Sequence, residues 1–203
     1  MKPKDTNCNR RTFLKAAGWT GLGSLLSPLA GSKDAFGAEM LAADNLPIAK
    51  RPFGRTGEKV AMLSLGGIFD IPNNQLLLKQ AVRWGVTYWD TANSYMGGDS
   101  EKGIGKYFSR FPEDRKKIFL VTKSGAWTLK GMDRHLQRSL ERMQTDTIDL
   151  FFVHGISDIS EMDDDIKRWS EKMKSEGKIR FMGFSTHSNM EECLADAPAL
   201  GWI

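Results

Sequence analysis

Five short apolar runs recur at intervals of roughly 25–31 residues, and each is followed by a segment of helical period. The runs are Ala61–Gly67 (AMLSLGG), Val86–Asp90 (VTYWD), Lys117–Ser124 (KIFLVTKS), Thr147–Gly155 (TIDLFFVHG) and Lys178–Ser188 (KIRFMGFSTHS). Between them, Leu78, Ala81 and Val82 mark a helix over 73–85, capped by an asparagine and stopped by Gly85. Ile104, Tyr107 and Phe108 mark another over 100–110, and Leu136, Leu140 and Met143 a third over 131–144. An acidic-started helix is predicted over 160–177 with Ile166, Trp169 and Met173 inward, and a last one over 189–201. Ahead of the first unit, the turn at Arg55–Gly57 between extended stretches predicts a hairpin. Strand–helix alternation of this kind demands a parallel sheet, because parallel neighbours need crossover connections. Two architectures satisfy it: an open doubly wound sheet and a (β/α)8 TIM barrel. No G-x-G-x-x-G follows the first run, which counts against a dinucleotide-binding doubly wound fold. The glycine pair in GIGKYF, inside a helix, carries no such signal.

The net charge of +4 is a poor guide to function once it is located. Residues 1–37 hold Lys2, Lys4, Arg10, Arg11, Lys15 and Lys33 against Asp5 and Asp34, which accounts for the whole excess. The remainder is neutral, so it has no electrostatic footprint for nucleic acid. Two cysteines, Cys8 and Cys193, exclude a disulfide framework for the body and any site needing several thiolates within these residues.

Asn9–Gly31 (NRRTFLKAAGWTGLGSLLSPLAG) has paired arginines, then Phe-Leu-Lys, then a mildly apolar run diluted by glycines. A membrane anchor needs about 20 strongly apolar residues, and this run is interrupted by Gly, Ser, Thr and Pro28. The segment resembles a twin-arginine (Tat) export signal. That resemblance implies engagement of the Tat machinery through Arg10 and Arg11, cleavage after Gly37 with the neighbouring Ala38 as the alternative, and a periplasmic destination. The expected organisation is a signal peptide over 1–37, a leader over 38–50 and the fold over 51–203.

Polar residues gather where the apolar runs end: Asp90, Lys123 and His154, with Tyr95 in the loop after Asp90. Taken singly, each has a plain reading as a turn residue, a solvated lysine, a loop aromatic or a hydrogen-bonded core histidine. In a parallel barrel, however, all strand C-termini open on one face, where four such groups can converge. The chemistry explains the types. A carbonyl that receives hydride needs a proton for the developing alkoxide. Tyrosine, with a free side-chain pKa of about 10, serves poorly unless a cation stabilises its phenolate. Lys123 can be that cation, Asp90 can keep the lysine charged and oriented, and His154 can donate a hydrogen bond to the substrate oxygen. A metal-dependent hydrolase built on Asp90 and His154 ranks last, because no second histidine stands at ligand spacing.

The segments FGRTGEKV, LSLGG, WDTANSY, LVTKSG, IDLFFVHG and KIRFMGFSTHS, in that order, resemble the aldo-keto reductase family from Arg51 to the C-terminus. The resemblance implies a barrel with Asp90, Tyr95, Lys123 and His154 as catalytic tetrad, reducing aldehydes or ketones with NADP(H). It further implies that Gly66, Gly67, Asp90 and Thr91 line the nicotinamide end of the cofactor. Ser185 and Thr186 fall where the family usually places a Ser-Asn pair against the carboxamide. FSTH looks like the branch of the family that carries export signals and ferredoxin fusions. A barrel runs to about 250 residues, whereas 166 follow residue 37, enough for about five βα units. The expectation is therefore a truncated barrel that, alone, binds NADP(H) weakly or not at all. The alternative is a non-catalytic NADP(H)-binding barrel acting as a regulatory or assembly subunit.

Overall fold

The computed structural model describes residues 48–203. The expected export signal, its expected cleavage site and most of the expected leader lie outside the described residues. A hairpin comes first, β1 (Lys50–Pro52) pairing antiparallel with β2 (Lys59–Ala61). Its turn requires the left-handed backbone of Gly54 (φ +53) and Gly57 (φ +78), which glycine adopts without steric cost.

The main sheet contains β3 (Ser64–Gly66), β4 (Tyr88–Asp90), β5 (Phe119–Ser124), β6 (Ile148–Ile156) and β7 (Ile179–Thr186). All are parallel, and each pairs with its sequence neighbours in strict chain order. The crossovers carry α1 (Gln75–Arg83), α2 (Asp99–Arg110), α3 (Leu129–Met143) and α4 (Asp164–Ser175), and α5 (Met190–Leu200) follows β7. A doubly wound sheet reverses its order at a switch point. Strict chain order is that of a barrel wall, so the (β/α)8 alternative is the one realised, here over five strands. No helix among the described residues is long and apolar enough to cross a membrane.

Strand alternation divides the core in two. Trp89, Leu120, Phe151 and Met182 turn toward the helices and pack with Leu78, Tyr107, Leu136 and Trp169. Full burial of a side chain such as Phe151 stabilises the fold by about 1.5–3 kcal/mol. The other face carries Phe119, Val121 and Leu150, with Val60 of the hairpin in the same cluster. On it Phe119 stacks 5.4 Å from Tyr88 and 6.2 Å from Phe181, while Phe53 of the hairpin meets it edge-on at 5.4 Å.

Three local expectations need correction. The run Ala61–Gly67 is not one buried strand: Ala61 belongs to the hairpin and β3 begins at Ser64. Met62 and Leu63, 66% and 53% exposed, make the bend that takes the chain from one sheet to the other. The helix expected over 160–177 starts at Asp164. Asp158 and Glu161 form a capping box around a short 3-10 turn, and Asp163 then accepts from Ile166 N (2.9 Å) to start a separate helix. Asn74 holds the N-cap position of α1, but its side chain donates to Asp70 O (2.7 Å) and caps nothing.

Candidate active site

The alternation that buries Trp89 sends its neighbours Tyr88 and Asp90 the other way. By the same rule Val121 and Lys123 of β5, and Phe152 and His154 of β6, oppose the helix-facing Leu120 and Phe151. The parallel register then sets Gly66 beside Asp90, Asp90 beside Val121, Lys123 beside Phe152, and His154 beside Ser185. Five strands thus each contribute one small or polar residue to the C-terminal end of a single face.

Lys123 is the hub. Its side chain is buried, and an ammonium has three hydrogens to place. One goes to the Asp90 carboxylate in an ion pair, one to the Thr91 carbonyl (2.8 Å) and one to the Tyr95 hydroxyl oxygen (3.3 Å). Tyr95 therefore accepts from Lys123, and its own O–H is left to donate elsewhere. The ammonium also stands 4.8 Å from the Tyr95 ring centre. Tyr95 opens a 3-10 turn, Tyr95–Gly98, that reverses through positive φ at Met96, Gly97 and Gly98. Its ring meets the imidazole of His154 edge-to-face, 5.9 Å between centres at 76°.

Burial, the Lys123 ammonium and His187 hold the pKa of His154 below the ordinary histidine range, against an upward pull from Asp90. A neutral imidazole offers one N–H donor and one acceptor nitrogen. Tyr88 lies on the same face as Asp90. Burial first, and the Asp90 charge second, push its phenol up to about 12. It stays protonated, with its ring packed against Phe119.

The expected cofactor-lining residues divide. Gly66 is exposed with open space where a Cβ would stand, and Ser185 Oγ accepts from Gly155 N (3.1 Å) at the same end of the sheet. Gly67 is buried and donates its N–H to Asp90 O (2.7 Å); a Cβ there would lie 2.8 Å from that oxygen. Thr91 alternates away from Asp90, and its hydroxyl is buried against Ser100 Oγ (2.6 Å). The Thr186 hydroxyl donates to Ser188 O and accepts from Ser188 N, which closes it into its own turn.

Beneath the face lies a polar layer that the sequence reading did not pick out. Thr122, on the reverse side of β5 from Lys123, donates to Glu101 (2.7 Å), and Glu101 pairs with Arg142 (3.1 Å). Ser124 bonds His135 Nδ1 (2.9 Å), giving a partner to a histidine that reads from sequence as a mid-helix residue. A signal for Glu101 exists: it sits three and seven residues before Ile104 and Phe108, on the buried stripe of α2. Arg142, at the C-terminal end of α3, reads as an ordinary helix-end cation.

The sequence profile of the aldo/keto reductase family matches residues 65–199. The chain belongs to that family. It is 30% identical over 169 residues to the oxidoreductase YrpG of Bacillus subtilis, covering 72% of this chain and 52% of YrpG. It is 34% identical over 124 residues to the Schizosaccharomyces pombe aldo-keto reductase yakc [NADP(+)], covering 55% of this chain and 36% of that protein. Among solved structures, the holo form of the aldo-keto reductase AKR11C1 of Bacillus halodurans superposes with a TM-score of 0.60 at 28% identity, over 69% of this chain and 51% of that one. The chain thus spans about half the length of YrpG and of the Bacillus halodurans enzyme, and about a third of yakc. The five-strand parallel sheet is the part of the aldo-keto reductase barrel that these matches share.

Proposed function

We propose that this chain carries the carbonyl-reducing site of an NADP(H)-dependent oxidoreductase, with Tyr95 as the proton donor. One observation carries the reading: a single buried ammonium, Lys123, engages the Asp90 carboxylate and the Tyr95 oxygen together, leaving the Tyr95 hydrogen unassigned. Membership of the aldo/keto reductase family supports the reaction class, and the NADP(+) in the name of the yeast relative supports the cofactor.

The residues present fit the nicotinamide end of such a cofactor. Gly66 presents bare backbone with open space above it, which lets a flat ring approach closely, and Asp90 is its neighbour on the next strand, while Ser185 stands beside His154 at the same end of the sheet. When bound, NADP(H) supplies hydride to the carbonyl carbon. This chain's own residues handle the proton and the charge. Tyr95 donates its O–H to the developing alkoxide, and the phenolate left behind faces the Lys123 ammonium. Asp90 keeps that ammonium oriented. Neutral His154, edge-on to Tyr95, donates a hydrogen bond to the same substrate oxygen and fixes the carbonyl for attack. In this reading the Arg10–Arg11 pair delivers the protein to the Tat machinery and so to the periplasm.

The test is Tyr95→Phe, which deletes one oxygen and leaves the ring. Turnover across a panel of aldehydes and ketones should fall by about 10²–10⁴-fold, while NADPH binding by fluorescence titration stays within error of the parent. Unchanged turnover in the variant refutes the assignment.

A further inference from the structure

Glu101 is a fully buried carboxylate, 0% exposed, on the helix side of the sheet and away from the reacting groups. It accepts from the Thr122 hydroxyl at 2.7 Å and from Arg142 Nη1 at 3.1 Å. The same Arg142 nitrogen donates to the main-chain oxygen of Asn93 at 3.0 Å, and the Asn93 N–H donates to Lys123 O at 3.0 Å. Asn93 is thus pinned through both of its backbone groups. Its side-chain Nδ2 makes no hydrogen bond among the described residues.

Five residues further on, Gly98 (φ +98) rests against the guanidinium, and a Cβ there would overlap Arg142 Cζ and both terminal nitrogens. The loop that carries Tyr95 is therefore held to Arg142 on either side of the tyrosine. The other end of the network, Thr122, is the residue next to Lys123. A closed circuit runs from Lys123 through Thr122, Glu101 and Arg142 to Asn93 and back to Lys123. The Tyr95–Lys123 contact lies across it. A buried ion pair is a weak source of stability, since desolvation offsets most of the attraction. Its value lies in the geometry it imposes.

We propose that Glu101 and Arg142 are positioning residues that lock the Tyr95 loop to the Lys123 strand and so set the Tyr95–Lys123 contact. The effect on turnover rests on the carbonyl-reduction reading above; the effect on the loop does not.

The test is the double variant Glu101→Gln/Arg142→Met in the full 203-residue chain. Removing both charges together leaves no uncompensated charge buried. Amide hydrogen exchange at Asn93 and Tyr95 should rise by about tenfold or more, the effect of losing a charge-assisted hydrogen bond, while β6 amides exchange as in the parent. The Tyr95 ring ¹³Cζ resonance, assigned with Tyr95→Phe, should move. Where the parent turns over carbonyl substrate, kcat should fall by about 10–100-fold with KM little changed. A folded double variant with parental exchange over 91–98 and a parental Tyr95 resonance overturns the proposal. Arg142→Lys is the second variant: it keeps a cation opposite Glu101 but replaces the planar fork, so the bonds to Glu101 and to Asn93 O are not held in the same geometry. It should loosen the same loop, and parental exchange there overturns the proposal even if the double variant unfolds. A parent that turns over no carbonyl counts against the reductase reading, while exchange and the Tyr95 resonance still decide the positioning role.

Discussion

Lys123 Nζ lies 3.3 Å from the phenol oxygen of Tyr95, with its remaining hydrogens taken by Asp90 and the Thr91 carbonyl. The lysine approaches from a strand and the tyrosine from a loop 28 residues earlier, so the contact exists only because β4 and β5 are parallel neighbours.

Lys123→Met keeps the length of the stem and deletes the ammonium. Asp90, whose side chain is 26% exposed, can rehydrate, so the structural cost is that of a charged hydrogen bond, about 1.5–3 kcal/mol. Turnover should fall by about 10²-fold or more. Urea midpoints and kcat on the same preparation check both; a variant with parental kcat removes Lys123 from the mechanism.

The pH dependence of stability should carry the mark of His154. Its folded pKa lies below the free-histidine value of about 6.5, so the unfolded chain binds the proton first. Stability from this group is complete above about pH 6.5 and declines as pH falls toward the folded pKa. His135, depressed by burial and by Arg138 and Arg134, adds in the same direction. Urea midpoints between pH 8 and pH 5 should show a shallower decline in His154→Gln than in the parent. Superimposable profiles would contradict it.

Gly105→Ala sets two effects against each other. Alanine improves helix propensity by about 1 kcal/mol over glycine. The added Cβ, however, would overlap the main-chain carbonyl of Arg142, which cannot swing aside as a side chain would. Overpacking of this kind costs about 1–3 kcal/mol, so net destabilisation is expected in thermal unfolding. A raised Tm would mean that α2 and α3 can move apart.

The proposed Tat routing predicts that Arg10→Lys with Arg11→Lys keeps the chain in the cytoplasm, because that route reads an arginine pair. Cell fractionation with immunodetection checks it. Export of the double-lysine form at parental efficiency would rule out that route.

Much of the fold and of the site is legible in the sequence. The alternating runs stated a parallel α/β fold, and Asp90, Lys123 and His154 were visible as polar residues ending apolar stretches. The errors fell at junctions. Ala61–Gly67 reads as continuous because its apolar residues serve two sheets in succession. The 160–177 stretch reads as one helix because two caps, Asp158 and Asp163, stand five residues apart inside an otherwise helical pattern. Glu101 and Arg142 went unread because a charge at a helix end has an ordinary solvent-facing explanation. GIGKYF illustrates the converse. Gly103 and Gly105, uninformative as a motif, are the close approaches of α2 to Ile71 and Arg142.

The sequence by itself determined which residues could face together. A period of two assigns Asp90, Lys123 and His154 to one side of their strands and Trp89, Leu120 and Phe151 to the other, whatever the strands pair with. Only the tertiary structure decided that the strands pair in chain order, and with what stagger. Register matches hydrophobic faces across residues far apart in the chain. That match brings one ammonium into reach of a carboxylate and a phenol, and places a buried Glu–Arg pair behind the loop that joins them.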